Sequence, residues 1–187
     1  MNEHRQIQFI VFSDIMYGVV IGVGVNFLIH IIDSLSLNSI ILLLWAYFLI
    51  CDDWFGAHYM ASHYSYSVLI FLIDIMLMLD FVFLIYFASK ASIHIFLPIV
   101  IYPLLSFFWD SAYISICKGF SEEQKVLRIW RAGSVVLFAV YGILMGVLYV
   151  LKVDNLSLKQ AAFTVWLWLA WRVVLTIVTH YKVRKII

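Results

Sequence analysis

Residues 67–89 read SVLIFLIDIMLMLDFVFLIYFAS, and this stretch decides the class of fold. A helix that crosses a bilayer needs about 20 predominantly apolar residues, and this stretch is long enough. Asp74 and Asp80 interrupt it, although an ionisable side chain at bilayer depth costs roughly 2.5–3.5 kcal/mol. Acids placed there predict either a functional site or a buried polar contact.

The rest of the chain resembles this stretch in composition. Hydrophobic residues make up 65% of the 187 positions and charged residues only 12%, whereas a soluble domain carries about 25% charged residues. The sequence therefore predicts an all-α, polytopic membrane protein with a single domain, 1–187. Its six predicted transmembrane helices are 8–31, 38–61, 67–89, 93–117, 133–151 and 158–179. A four-span alternative would require two of these stretches to be re-entrant.

Basic residues collect in the connections on one side of the predicted bundle. Since Lys and Arg mark cytoplasmic loops, both termini are predicted to be cytoplasmic. In the predicted cytoplasmic loop 118–132, Ser121 and Gln124 fit a helix capping box. This loop is therefore either a short interfacial helix or a plain extension of the fifth span. The basic residues used for this orientation are Arg5, Lys118, Lys125, Arg128, Arg131, Lys182, Arg184 and Lys185.

Most charged residues inside the spans share one depth, whereas Asp80 lies deeper. Counted from the predicted cytoplasmic ends, five of them lie about six to eight residues in, which is roughly 9–12 Å at about 1.5 Å per residue. Arg172 is the only base among them, so the acids cannot all be ionised in a dry interior. The layer either fixes helix register or lines a water-filled path, and the excess of acids favours the path. This intramembrane charge layer comprises Asp14, Asp52, Asp53, Asp74, Asp110 and Arg172.

Two spans share a short motif. Residues 17–22 read YGVVIG and residues 141–146 read YGILMG. Small residues four apart let membrane helices approach closely, so packing is one interpretation of the motif. The other is a parallel internal repeat, in which the first two spans echo the last two. The coincidence of a few residues would also explain it.

Motifs that carry enzymatic or cofactor chemistry are not found in the sequence. It contains no nucleophile elbow, no HExxH pair and no glycine-rich phosphate loop. Cys51 and Cys117 form no metal-binding pattern, and His58 and His63 do not share one helical face. We therefore predict that the protein is not an enzyme and has neither a metal nor another cofactor. A net charge of +1 gives no reason to expect nucleic acid as a partner.

The first span begins with Phe12-Ser13-Asp14. This motif resembles the signature of the transmembrane protein 175 family, the potassium-permeable channels of lysosomes and bacteria. The resemblance implies that Ser13 and Asp14 anchor the first helix, with Trp54 and His58 of the second helix as the typical companions. It also implies a pore lined by one face of the first helix. That face comprises Gly18, Ile21, Gly22 and Val25. The chain departs from the family at Gln8, where an arginine is usual.

Together these features predict a subunit of an oligomeric channel that conducts monovalent cations such as potassium. The predicted partners are the lipid bilayer, monovalent cations and further copies of the chain, and the predicted location is the bacterial inner (plasma) membrane. One alternative is a proton-coupled transporter of a small solute. Another is a non-conducting sensor or anchor that recruits a cytosolic protein through loop 118–132, as in a bacterial stress or defence module.

Overall fold

The computed structural model describes residues 3–64, 66–117 and 121–184, and at 3–6, 8, 9, 121 and 181–184 it describes the backbone alone. Two 3₁₀ turns, Ile32–Ser34 and Ile93–Ile95, accompany six long helices. The helices, numbered in chain order, are α1 (Glu3–Ile31), α2 (Leu37–His63), α3 (Val68–Ser89), α4 (Phe96–Ile116), α5 (Ser121–Val150) and α6 (Leu158–Arg184). The predicted all-α fold is confirmed.

All six helices are long and apolar enough to cross a membrane. Large apolar side chains cover their outer faces: Leu44 is 67% exposed, Trp166 69% and Val150 78%. Such surfaces suit hydrocarbon, where backbone groups must be satisfied within each helix. The chain is therefore an integral membrane protein. The predicted orientation of its termini stays a prediction, as does the predicted membrane.

Five helices form a closed ring. Each of α2, α3, α4, α5 and α6 contacts the next in order, and α6 returns to contact α2. The most extensive contact is between α4 and α5, and α1 packs outside the ring against α2 and α3. Phe81, Leu49 and Trp168 are buried between ring helices. Because lipid is as apolar as these side chains, close packing rather than apolar burial holds such a ring together.

One end of the ring is joined by backbone hydrogen bonds between two connections. Leu156 N donates to Ala91 O over 2.7 Å, and Ile93 N donates to Asp154 O over 3.0 Å. Asn38 Nδ2, at the start of α2, also donates to Leu156 O, over 2.8 Å. We call this the bridged end. The opposite end, where α4 leads to α5, is called the α4–α5 end.

Local sequence explains several helix boundaries. Ser36 and Ser67 precede α2 and α3, and each side-chain oxygen accepts a hydrogen bond from the first turn, as N-cap residues do. From Ser121 onward the predicted loop 118–132 is helical, because α5 continues without interruption to Val150. Residues 121–132 therefore belong to one continuous helix with the fifth span, and both interpretations of loop 118–132 stay predictions; residues 118–120 lie outside the described chain. The acids of the first turn suit the positive end of the helix dipole.

Candidate functional site

A cavity of about 80 Å³ lies inside the ring, and all five ring helices contribute to its wall. Since one buried water needs roughly 10–15 Å³ by this kind of measure, the cavity has room for several. Three indole rings line it, those of Trp109, Trp130 and Trp168. Its charged and hydroxyl-bearing residues include Asp52, Asp53, Tyr102, Ser106, Asp110 and Arg172. The five ring helices thus line a polar site within a single chain.

Arg172 of α6 forms an ion pair with Asp52 of α2 across this cavity. Its Nη2 lies 2.6 Å from Oδ1 and 2.5 Å from Oδ2 of the carboxylate. The guanidinium also lies over two indole rings, 4.8 Å from the centroid of Trp130 and 5.8 Å from that of Trp168. A carboxylate and aromatic faces therefore neutralise and surround this cation, as expected for arginine.

Asp53, the neighbour of Asp52, is held by two tyrosines. Tyr17 of α1 donates its hydroxyl hydrogen to Oδ2 over 2.5 Å, and Tyr102 of α4 donates to Oδ1 over 3.0 Å. Tyr17 is only 1% exposed although α1 lies outside the ring. The carboxylate thereby connects three helices. Hydrogen bonds to an ionised group are about twice as strong as neutral ones, which favours this as a fixed structural link.

Asp110 of α4 differs from the other acids of the cavity. It is 3% exposed, and it makes no hydrogen bond or ion pair with any residue in 3–64, 66–117 or 121–184. The buried Oγ of Ser106 and the buried Nε1 of Trp130 likewise lack a partner among these residues. All three residues line the cavity. Since buried polar groups are normally paired, water or a ligand in the cavity would satisfy them.

Two members of the predicted charge layer lie away from the cavity. Asp74 accepts a hydrogen bond from Trp109 Nε1 over 3.0 Å and a short one from the hydroxyl of Tyr66. Asp14 accepts from Trp54 Nε1 over 2.9 Å and lies 3.0 Å from Nδ1 of His58. The structure thus brings together Asp52, Asp53, Asp110 and Arg172 in one site. Asp74 supports Trp109 in the cavity wall, and Asp14 connects α1 to α2.

A second, narrower cavity of about 10 Å³ continues the first within the ring. The two share four wall residues: Tyr102, Pro103, Leu137 and Trp168. We call these four residues the septum. Apart from the hydroxyls of Tyr102 and Tyr141 and indole N–H groups, the wall of the narrow cavity is apolar. Its volume is enough for about one water molecule.

Pro103 leaves the backbone carbonyl of Ile99 without its usual helical hydrogen bond. Proline has no N–H, so it cannot donate to the carbonyl of residue i−4 in a helix. The carbonyl of Ile99 therefore lacks its normal helical partner, and both residues line the narrow cavity. A backbone acceptor in such a place is tolerated in membranes only where protein or a cavity surrounds it.

The face of α1 predicted to line a pore lies outside the ring. Gly18, Gly22 and Val25 are exposed, whereas Ile21 is half-buried against the core. A Cβ added to Gly18 or Gly22 would meet no atom within 4 Å. In one chain this face therefore borders open space, and a pore between several chains stays a prediction.

The two shared motifs occupy similar places. Tyr17 and Tyr141 are each 1% exposed, and each hydroxyl donates to the following helix of its pair. Their acceptors differ: Tyr17 reaches a carboxylate, whereas Tyr141 reaches the carbonyl oxygen of Thr164. The similarity is therefore in position and not in chemistry.

Sequence reasoning missed Tyr102, Ser106 and the three cavity tryptophans as site residues. Ser106 lies four positions before Asp110, a spacing that puts both on one face of α4. From that spacing, Ser106 could have been predicted to share a site with Asp110. Tyr102 gave no such signal, because its partner Asp53 comes from another helix.

Comparisons of the chain with protein-family models, with curated proteins and with solved structures find no match in any of the three. The class is therefore defined by the molecule itself: a polytopic α-helical membrane protein of six helices. Within that class, it has a five-helix ring around a polar cavity.

Proposed function

We propose that this protein moves small monovalent cations across a membrane along the axis of the five-helix ring. The observation that carries the proposal is Asp110, a buried carboxyl group with no described hydrogen bond or ion pair, in the wall of a cavity with room for several waters. A charge in that position is costly unless a cation or water compensates it. Intramembrane acids that face a cavity commonly mark ion pathways.

The charge of the cavity supports a cationic rather than an anionic ligand. Three acidic residues, Asp52, Asp53 and Asp110, line the cavity against one basic residue, Arg172, and Arg131 of α5 also interacts electrostatically with Asp110. Because Arg172 is already paired with Asp52, it offers little attraction for an anion. The electrostatic potential of the remaining acidic residues in the wall favours cations.

The septum supports control of passage by an apolar constriction. Leu137 and Pro103 separate the polar cavity from the narrow one, and hydrophobic constrictions gate membrane channels by excluding water. Opening would require the bridged end to widen, because its connections are joined by hydrogen bonds.

This proposal agrees in ion class with the resemblance to the transmembrane protein 175 family, but it differs in the path. The family resemblance favours a pore along the α1 face of Gly18, Ile21, Gly22 and Val25, built from several copies of the chain. The exposure of that face supports this as a second candidate path. A proton-coupled carrier is a third candidate, favoured by a cavity that narrows toward one end.

Flux from liposomes that contain the purified protein separates these candidates. With a potassium gradient, Leu137→Asn should raise flux if the axial path conducts, because a polar side chain hydrates the septum. Asp110→Asn should lower flux, and Asp33→Asn, which changes an exposed acid in the connection between α1 and α2, is its control.

Each alternative has its own signature in the same assay. Higher flux in Ile21→Asn with unchanged flux in Leu137→Asn would favour the α1 pore. Saturable uptake driven by a pH gradient would favour the carrier. Absence of flux in the wild-type protein and in Leu137→Asn would contradict cation transport and favour a non-conducting sensor.

A further inference from the structure

We infer that Asp110 and Ser106 form a cation-binding subsite whose ligand is a small ammonium-type cation, ammonium or methylammonium. The inference rests on the cation transport proposed above and names the class of ligand. It begins from two acceptors on one helical face, since Ser106 and Asp110 are four residues apart in α4.

The side chain of Ser106 has no described partner, whereas two other serines in the membrane-spanning helices are bonded. Ser111 donates to the carbonyl of Phe107 over 2.7 Å, and Ser134 donates to that of Trp130 over 3.2 Å. Ser106 Oγ is buried and makes no bond with any part of the chain that the structure describes. Its lone pairs have no described partner, and a change of side-chain rotamer would turn them toward a ligand in the cavity.

The other oxygen atoms of the cavity are already engaged. Both carboxylate oxygens of Asp52 contact Arg172, and those of Asp53 accept hydrogen bonds from two tyrosines. Asp110 and Ser106 are then the main free acceptors of the polar cavity. A dehydrated potassium ion needs a complete shell of oxygens, as in selectivity filters. Two acceptor groups supply that shell only together with several water molecules.

An ammonium group suits this wall better. It donates hydrogen bonds to a few acceptors, and its remaining surface is attracted to the faces of aromatic rings. The guanidinium of Arg172 is bound in this way within the same cavity, because it contacts the carboxylate of Asp52 and the indole ring of Trp130. Trp109 adjoins Asp110 in the sequence and also lines the cavity.

The volume of the cavity limits the size of the ligand. Its 80 Å³ is well below the roughly 150 Å³ of an engineered cavity that admits benzene in another protein. Ammonium and methylammonium have one or two heavy atoms, whereas choline is much larger. The subsite should therefore select by size as well as by charge.

Binding to the purified full-length protein in detergent micelles tests the inference. Ammonium chloride and methylammonium chloride are titrated at constant ionic strength, and the fluorescence of the cavity tryptophans is followed. We expect a saturable change with both, binding about tenfold weaker or less with potassium and sodium chloride, and no saturable change with choline chloride.

Variants locate the signal. Loss of a charge-assisted acceptor should weaken binding about 10–100-fold in Asp110→Asn, and loss of a neutral acceptor about 3–10-fold in Ser106→Ala. Asp33→Asn, at an exposed acid between α1 and α2, should bind as the wild type does. If Asp110→Asn does not fold, Ser106→Ala and the ion series in the wild type decide the question.

The outcomes distinguish this inference from the proposed function. Equal affinity for potassium and methylammonium, unchanged binding in Asp110→Asn, or no saturable signal would overturn the ammonium subsite, even where potassium flux is measured. Methylammonium binding that depends on Asp110, in a protein that gives no flux, would support the subsite and contradict transport.

Discussion

The ion pair between Arg172 and Asp52 provides the sharpest test of the structure. We consider Arg172→Met, which removes the positive charge and keeps a long side chain. Breaking a fully buried pair costs about 3–5 kcal/mol because one charge is left uncompensated. Exposed pairs contribute only about 0–1 kcal/mol.

The exposure of this pair determines where it falls between those limits. The side chains of Arg172 and Asp52 are 26% and 28% exposed, so solvent reduces the cost of the unpaired carboxylate. We expect a loss of about 2–3 kcal/mol, which includes the lost contact with the ring of Trp130. At about 2–4 °C per kcal/mol for a chain of this size, Tm should fall by about 4–12 °C.

The assay is unfolding of the purified protein in mixed micelles, followed by tryptophan fluorescence. The double variant Asp52→Asn with Arg172→Met should be more stable than Arg172→Met alone by at least about 1 kcal/mol, because it leaves no unpaired charge. Lys125→Met is the control. Its pair with Glu122 is long, at 3.6 Å, and exposed, at 43% and 44%, so it should change stability by less than about 0.5 kcal/mol.

Two results would refute this reasoning. If Arg172→Met lowered the free energy of unfolding no more than Lys125→Met does, the pair with Asp52 would contribute no more than an exposed ion pair. If the double variant lost as much free energy of unfolding as its two single variants lose together, Arg172 and Asp52 would not be energetically coupled.

Three further predictions concern packing and buried hydrogen bonds. Gly24→Ala should lower the free energy of unfolding by about 1–3 kcal/mol, because the new Cβ would overlap the hydroxyl of Tyr47. Its control is Gly22→Ala, whose Cβ meets open space and which should be neutral or stabilising by up to about 1 kcal/mol in the same unfolding assay. Tyr17→Phe should cost about 1–3 kcal/mol, since a buried carboxylate loses a donor, and an unchanged unfolding midpoint would contradict that bond. Trp54→Phe should free the N-terminal part of α1 from α2, which faster proteolysis or hydrogen exchange near Asp14 would report.

Local composition was sufficient to predict the class of this protein. The free energy of transfer into a bilayer depends on the residues of each span alone, so long apolar stretches are recognisable without any knowledge of their neighbours. The common depth of the charges was also readable, because helical rise converts position in the sequence into distance along the membrane normal. That depth placed Asp52, Asp53, Asp110 and Arg172 close enough to meet.

Which charges meet was decided by the arrangement of the helices around one another. Rotation of a helix about its axis and its choice of neighbours depend on packing between surfaces that are apolar on every side, so the sequence pattern carries little information about them. For that reason only the tertiary structure pairs Arg172 with Asp52, gives Asp53 to Tyr17 and Tyr102, and leaves Asp110 free in the cavity wall. The same packing puts α1 outside the ring, a position that its own residues did not disclose.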